Sequence, residues 1–279
     1  MQGLTEAVKR TPTRGASTTN PPAPAAIAEG VYWLPVGRGL MRSNVYFVRA
    51  GPSWALVDTG SQGCATEILA AASTLFGSHA PPAAILLTHS HADHAGSARE
   101  LTSAWGCPLH LHPDELPLAR GDLAAVRRYP NPLDRWLILP ILRLLPLPRR
   151  DAIVAASSLA DLALPFDPKR EPPGLPGWRC VPSPGHTPGH VAYFRPNDRV
   201  LLTGDAIVTV DLNSLPGILF RKPCLSPPPR YVTWDWKRAN DSVASLARLQ
   251  PRVLAGGHGA PASGAALTAD LRTLARSPP

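Results

Sequence analysis

The sequence predicts an α+β fold in which two sheets pack face to face with helices outside. Short apolar runs that read as strands are interleaved with only a few amphipathic helices, which suits that layering. Several of those runs end in a small residue followed by a histidine or an aspartate, the way a rigid sheet presents ligands from its loop edge. At 279 residues the chain is long enough to bury a full core.

In chain order, strands are expected near 30–36, 43–50 and 53–58, where β-branched and aromatic residues cluster. A helix follows near 61–76, then a buried strand at 83–88 and a helix near 94–104. A short strand fits Pro108–Leu111. After an irregular stretch at 113–177 come strands at 178–183, 190–195, 199–204 and 252–256, with helices near 237–249 and 264–276. Residues 1–28 are rich in Thr, Pro and Ala and short of large apolar side chains, so they are expected to form a disordered tail before a single domain at 29–279. The tail lacks the apolar core of a secretory signal, which makes the cytoplasm the default compartment; Lys9, Arg10 and Arg14 keep an organelle transit peptide in view.

The densest chemistry is Thr88-His89-Ser90-His91-Ala92-Asp93-His94, directly after the apolar run Ala83–Leu87. On extended backbone His89 and His91 point the same way. A turn into helix at Asp93 would swing that carboxylate and His94 toward a neighbouring point. Four ligands in two pairs suggest two metals, completed from elsewhere in the chain. Candidates are His186 in Pro184-Gly185-His186-Thr187-Pro188-Gly189-His190, Asp205 at the end of Val200–Asp205, and His258 after Val253–Gly257.

With these residues in this order, the chain from about Gly30 onward resembles the metallo-β-lactamase superfamily, and within it the glyoxalase II-like hydrolases. The resemblance implies a four-layer αββα sandwich with a dinuclear site. His89, His91 and His186 would hold one metal, Asp93, His94 and His258 the other, and Asp205 would bridge them. Asp58, in Val57-Asp58-Thr59-Gly60, matches a carboxylate that supports a ligand histidine from behind. His190 matches a position that the family does not use as a ligand and is read as structural, as are His79, His110 and His112. Some β-lactamase subclasses carry a cysteine where this chain has Asp205, which speaks against them. About twenty residues follow His258, room for one helix where the family's glutathione thioesterases carry a helical region. A lactone, ester or other small acyl substrate therefore fits at least as well as a glutathione thioester.

Two divalent ions about 3.5–4 Å apart can share a hydroxide, because metal binding lowers the pKa of water to about 7. The expected reaction is attack of that hydroxide on an ester, thioester or lactone carbonyl, with Asp93 handling the proton. The His/Asp set suits zinc and also accommodates iron or manganese. Two other readings share the fold: an iron-dependent oxidoreductase of the persulfide-oxidising kind, using His89, His186 and Asp205, and a metallo-nuclease. A non-catalytic binding protein is a further alternative.

The net charge of +8 comes from arginines spread along the chain without an aromatic stripe, so no nucleic-acid footprint is visible. Cys64, Cys107, Cys180 and Cys224 are scattered without CxxC spacing, which argues against a disulfide framework. Cys107 and Cys180 read as core residues and Cys64 as a packing residue at a helix start. The least typical stretch, 113–177, carries an apolar run at Trp136–Pro146 that Pro140 and Arg143 interrupt. It is expected to fold over the site as a lid, with Trp136, Leu139 and Leu142 lining the substrate pocket. It could instead touch a membrane surface through 133–146, or simply pack on the sheet.

Overall fold

A computed structural model describes residues 23–78 and 80–276. Residues 1–22 and His79, on which parts of the sequence reading fall, lie outside the described residues. The expected tail ran to 28, and its last residues are ordered instead. Ala25–Ala28 form strand β1, which pairs antiparallel with β2 (Val31–Val36). A neighbouring strand with open hydrogen-bonding groups orders this alanine-rich stretch, which composition alone cannot reveal.

Among the described residues, seven strands form one sheet in sequence order. After β1 and β2 come β3 (Ser43–Ala50), β4 (Ser53–Val57), β5 (Ala84–Leu86), β6 (Leu109–Leu111) and β7 (Ala163–Pro165). The first four pair antiparallel, and β4 through β7 pair in parallel. The second sheet begins with β8 (Arg179–Pro182), β9 (Val191–Arg195) and β10 (Val200–Gly204). A small ribbon, β11 (Val208–Val210) with β12 (Pro223–Ser226), precedes its last strands β13 (Val253–Gly256) and β14 (Ala262–Ser263). The order is β14-β13-β10-β9-β8, with β10 and β13 parallel.

Strand alternation distributes the core among three interfaces. Tyr46, Val48 and Val57 from the first sheet meet Tyr193, Val200 and Leu202 from the second. On the outer face of the first sheet, Phe47, Leu56 and Ile85 pack against α1 (Ala65–Phe76) and the helix Ala98–Trp105. On the outer face of the second, Leu201 and Leu254 pack against Trp236–Ala247 and Leu267–Arg276. The result is the expected αββα sandwich, and Leu201 and Leu202 face opposite layers as period two requires.

The helix expected near 94–104 is divided into α2 (Ala92–Ala95) and α3 (Ala98–Trp105). The insert is mostly helical: α4 (Leu116–Ala119), α5 (Leu123–Arg128), a π-type turn at Asp134–Ile138 running into α6 (Leu139–Leu144), and α7 (Leu147–Ser157). The π-type turn directly precedes Pro140, which lacks the N–H that a continuous α-helix requires. The C-terminal part of 113–177 belongs to the sandwich, since β7 extends the first sheet and Phe166 and Leu175 are buried between the sheets. Beyond the insert lie α8 (Leu215–Phe220), α9 (Trp236–Ala247) and α10 (Leu267–Arg276). Among the described residues no helix is long and apolar enough to cross a membrane.

Candidate metal centre

The seven side chains singled out as ligands meet at the loop edge shared by the two sheets. His89 and His91 follow β5, and Asp93 and His94 lie in the single turn of α2, for which His91 is the extended residue before the helix. His186 comes from the loop between β8 and β9, Asp205 from the end of β10, and His258 from the end of β13. His89, His94, His186, Asp205 and His258 are buried, whereas His91 and Asp93 are partly accessible.

Four of the imidazoles are fixed from behind through Nδ1, which leaves Nε2 facing the centre. His94 Nδ1 lies 2.8 Å from Asp58 Oδ2, and His258 Nδ1 lies 2.8 Å from the carbonyl oxygen of Arg42. The Nδ1 atoms of His89 and His186 lie 3.1 Å and 3.2 Å from the hydroxyls of Thr88 and Thr233. The Nε2 atoms of His89 and His186 then approach to 3.2 Å. Asp205 lies between both halves, 3.5 Å from His186 Nε2 and 3.3 Å from both His94 Nε2 and His258 Nε2. Asp93 Oδ2 is 3.3 Å from His258 Nε2.

These contacts fit cations. His94 Nε2 and Asp205 Oδ1 are buried without a hydrogen-bond partner, an expensive arrangement that a shared metal ion would satisfy. Three overlapping groups have the spacing to hold one: His89/His91/His186, His89/His94/Asp205 and Asp93/His94/His258. The electrostatics divide the site in two. Burial, reinforced by the neighbouring imidazoles, holds the pKa of His89 and His186 well below the ordinary histidine value. Burial acts the same way on His258, but Asp205 and Asp93 overcome it and raise its pKa to about 10. His94 is likewise raised against burial by Asp205, Asp93 and Asp58. Negative charge therefore gathers on the Asp93/His258 side, where it favours any cation that enters.

Asp58 adopts a left-handed backbone, φ 61°, and its carboxylate also accepts from Thr88 N and Oγ1, at 2.8 Å and 2.9 Å. It therefore ties the first sheet to both the His89 and His94 segments. Gly257 is required by close approach: a Cβ there would overlap the Asp205 carboxylate and the His94 ring. His190 stays outside the cluster. Its Nε2 accepts from Asp205 N at 3.0 Å and its Nδ1 meets Ser183 Oγ at 2.8 Å, while burial lowers its pKa to about 3. It is a neutral prop for the Asp205 backbone.

Sequence reasoning missed several supports. Thr233 and the Arg42 carbonyl carry no motif and come from segments distant in sequence. Glu115 is fully buried and accepts from Ser90 N, Ser90 Oγ and Gly189 N, clamping the two histidine loops together. Tyr231 also went unremarked: burial, and after it the charges of Asp205 and Asp93, raise its pKa. Cys64, Cys107 and Cys180 are buried free thiols, and Cys224 is exposed.

A cavity of about 910 Å³ opens on His91 and His186 and is walled by the insert. Leu142 lines it, with Ile138, Leu118 and Val126 completing much of the apolar wall and Asn131 and Asp134 adding polar groups. Trp136 and Leu139 are corrected: neither lines the cavity, and Trp136 is 77% exposed. Asp134, Ile138 and Leu142 are four residues apart and share the inward face, whereas Trp136, two positions from both Asp134 and Ile138, falls on the opposite side of the helix.

Comparison with known proteins places this architecture. The chain is 36% identical over 251 residues to probable metallo-hydrolase YflN of Bacillus subtilis (strain 168), covering 89% of this chain and 90% of that protein. Similarity to a hydroxyacylglutathione hydrolase of Bdellovibrio bacteriovorus is narrower, 28% over 128 residues, which is 45% of this chain and 34% of that one. Among solved structures, metallo-beta-lactamase family protein TTHA1429 from Thermus thermophilus superposes with a TM-score of 0.62 at 25% identity, covering 90% of this chain and 78% of that one. TTHA1623, solved in a di-iron-bound form, gives 0.54 at 27% identity, covering 88% and 98%. A family profile described as Lactamase_B, the metallo-beta-lactamase superfamily, matches residues 38–258. By that match the chain belongs to the metallo-beta-lactamase superfamily.

Proposed function

We propose that the chain is a hydrolase of small acyl compounds (esters, thioesters or lactones) that works with two divalent metal ions. In this reading His89, His91 and His186 hold one ion, Asp93, His94 and His258 hold the other, and Asp205 serves both. The observation that carries it is the convergence of seven candidate ligand side chains, with four Nδ1 atoms anchored outward and a largely apolar cavity opening on two of them, His91 and His186. When bound, the ions supply a Lewis acid and a water deprotonated near neutral pH. The ligand set suits zinc, and the di-iron form of TTHA1623 makes iron the principal competitor.

The chain's own residues do the rest. Asp93 is the more accessible of the two central carboxylates, its side chain 18% exposed against 3% for Asp205. It is the group placed to hold the proton of the attacking water and pass it onward. Asp205 is held by the His190 prop and serves as a fixed ligand. The insert excludes water and seats the acyl part against Ile138 and Leu142.

Metal analysis of the purified protein, coupled to a panel varying acyl length and leaving group, tests this. Two metals per chain with hydrolysis of at least one acyl class is the expected result, and Asp205→Ala should lose metal and hydrolysis together. An Asp205→Ala protein that keeps both metals and full rate would remove Asp205 from the centre. A single iron per chain with no turnover of any acyl compound would replace the proposal with the oxidoreductase reading.

A further inference from the structure

We propose that the outer face of the helical insert is a docking surface for an anionic lipid bilayer, which brings the mouth of the cavity to the membrane. The segment from 133 to 144 sorts its side chains into two stripes. Asp134, Ile138 and Leu142, four residues apart, line the cavity. Leu137, Ile141 and Leu144 form the neighbouring stripe and stand in solvent, Leu144 at 85% exposure. Trp136 and Leu147 are also bare, at 77% and 60%. Apolar side chains clustered this densely on a short helical segment mark a contact surface, since exposed apolar residues on a monomer are ordinarily scattered singly.

The charge around the patch selects the occupant. Between 122 and 157 the chain has Arg127, Arg128, Arg135, Arg143, Arg149 and Arg150, against Asp122, Asp134 and Asp151. Of those aspartates, Asp122 caps α5 and Asp134 lines the cavity. Asp151 is beside Arg150, at 3.5 Å. The Arg135 guanidinium lies 5.8 Å over the Trp136 ring, the pairing of aromatic and cation that suits the interface between headgroups and acyl chains. A second copy of the chain would set these arginines against their own equivalents. An anionic bilayer accepts the leucines and the guanidinium groups together.

A second element of the same composition is α8. Leu215, Leu219 and Phe220 of α8 are 77%, 73% and 80% exposed, and Arg221 and Lys222 follow. Arg221 donates to the carbonyl of Gly39, in the short 3-10 turn Gly39–Met41, and Met41 lines the cavity. A second apolar-and-basic segment, distant in sequence, is thus tied to the turn that carries Met41.

The test is flotation of the full, metal-loaded chain with vesicles of phosphatidylcholine alone and of phosphatidylcholine with phosphatidylglycerol. A basic residue near an anionic surface favours binding by about fivefold, so two or three engaged arginines predict about 25- to 125-fold tighter binding to the anionic vesicles, weakening as salt rises. Leu137→Glu with Leu144→Glu should lower binding by at least about 100-fold, while metal content and melting temperature stay unchanged. Arg143→Glu with Arg149→Glu should also weaken anionic binding without touching an apolar side chain, and so guards against misfolding of the first variant. Equal binding to neutral and anionic vesicles, no binding, or wild-type binding by both variants would overturn the proposal. So would a dimer in sedimentation equilibrium that the leucine variant dissolves, since the face would then belong to a second copy. Flotation needs no substrate, so its failure leaves the hydrolase reading untouched.

Discussion

Asp58→Asn isolates the contribution of one buried carboxylate to the centre. Asp58 is 1% exposed and sits with its Oδ2 2.8 Å from His94 Nδ1. Asparagine matches its shape and tolerates the φ of 61° nearly as well as aspartate, whereas alanine would add backbone strain of about 1 kcal/mol. What the substitution removes is the charge. A hydrogen bond to a charged partner is worth about 1.5–3 kcal/mol. At about 1.36 kcal/mol per tenfold, that weakens metal binding through His94 by about 10- to 100-fold. The larger loss should fall on the Asp93/His94/His258 group, where Asp58 touches a ligand directly, because it reaches the other group only through Thr88, which supports His89. Competition with a chromophoric chelator, resolved into two binding steps, reads both affinities. Two affinities within about twofold of wild type, or both lost equally, would refute the idea that Asp58 acts by orienting His94.

Three further outcomes are expected. Gly257→Ala should abolish metal binding in the second group yet leave a cooperatively melting fold, because its Cβ would overlap Asp205 and His94 and not the core; calorimetry with metal analysis checks both halves. In metal-free protein, His258 has its pKa raised from 6.5 to about 10, so its stabilising contribution is fully present below pH 6.5 and is lost as pH rises toward 10; urea denaturation across that window should show the decline, and His258→Ala should flatten it. Leu142→Trp, which fills the cavity from the insert side, should shift the preferred acyl length downward, with KM changing more than metal content; an unchanged acyl profile would remove the insert from substrate selection.

Most of the centre was legible in the sequence because its chemistry is local. His89, His91, Asp93 and His94 are consecutive enough that strand and turn geometry aims them, and Asp205 and His258 each end an apolar strand. Asp58, in a Val-Asp-Thr-Gly turn, was marked by the resemblance. The insert was less legible for a physical reason: its apolar residues lie on several helical faces at once. Which stripe turns inward depends on how the insert docks on the sandwich, and that docking put Ile138 in the wall where Trp136 had been expected.

By itself the sequence determined the layered fold and, through its resemblance to the superfamily, marked seven candidate ligand residues near strand ends, because periodicity and residue type are properties of short segments. Tertiary structure decided the supports. Thr233, the Arg42 carbonyl and Glu115 reach the centre only once segments far apart in sequence are packed together. It also decided where the apolar side chains of the insert point, toward the cavity or toward the outside. A side chain's neighbours across the fold depend on docking geometry, which no local pattern encodes.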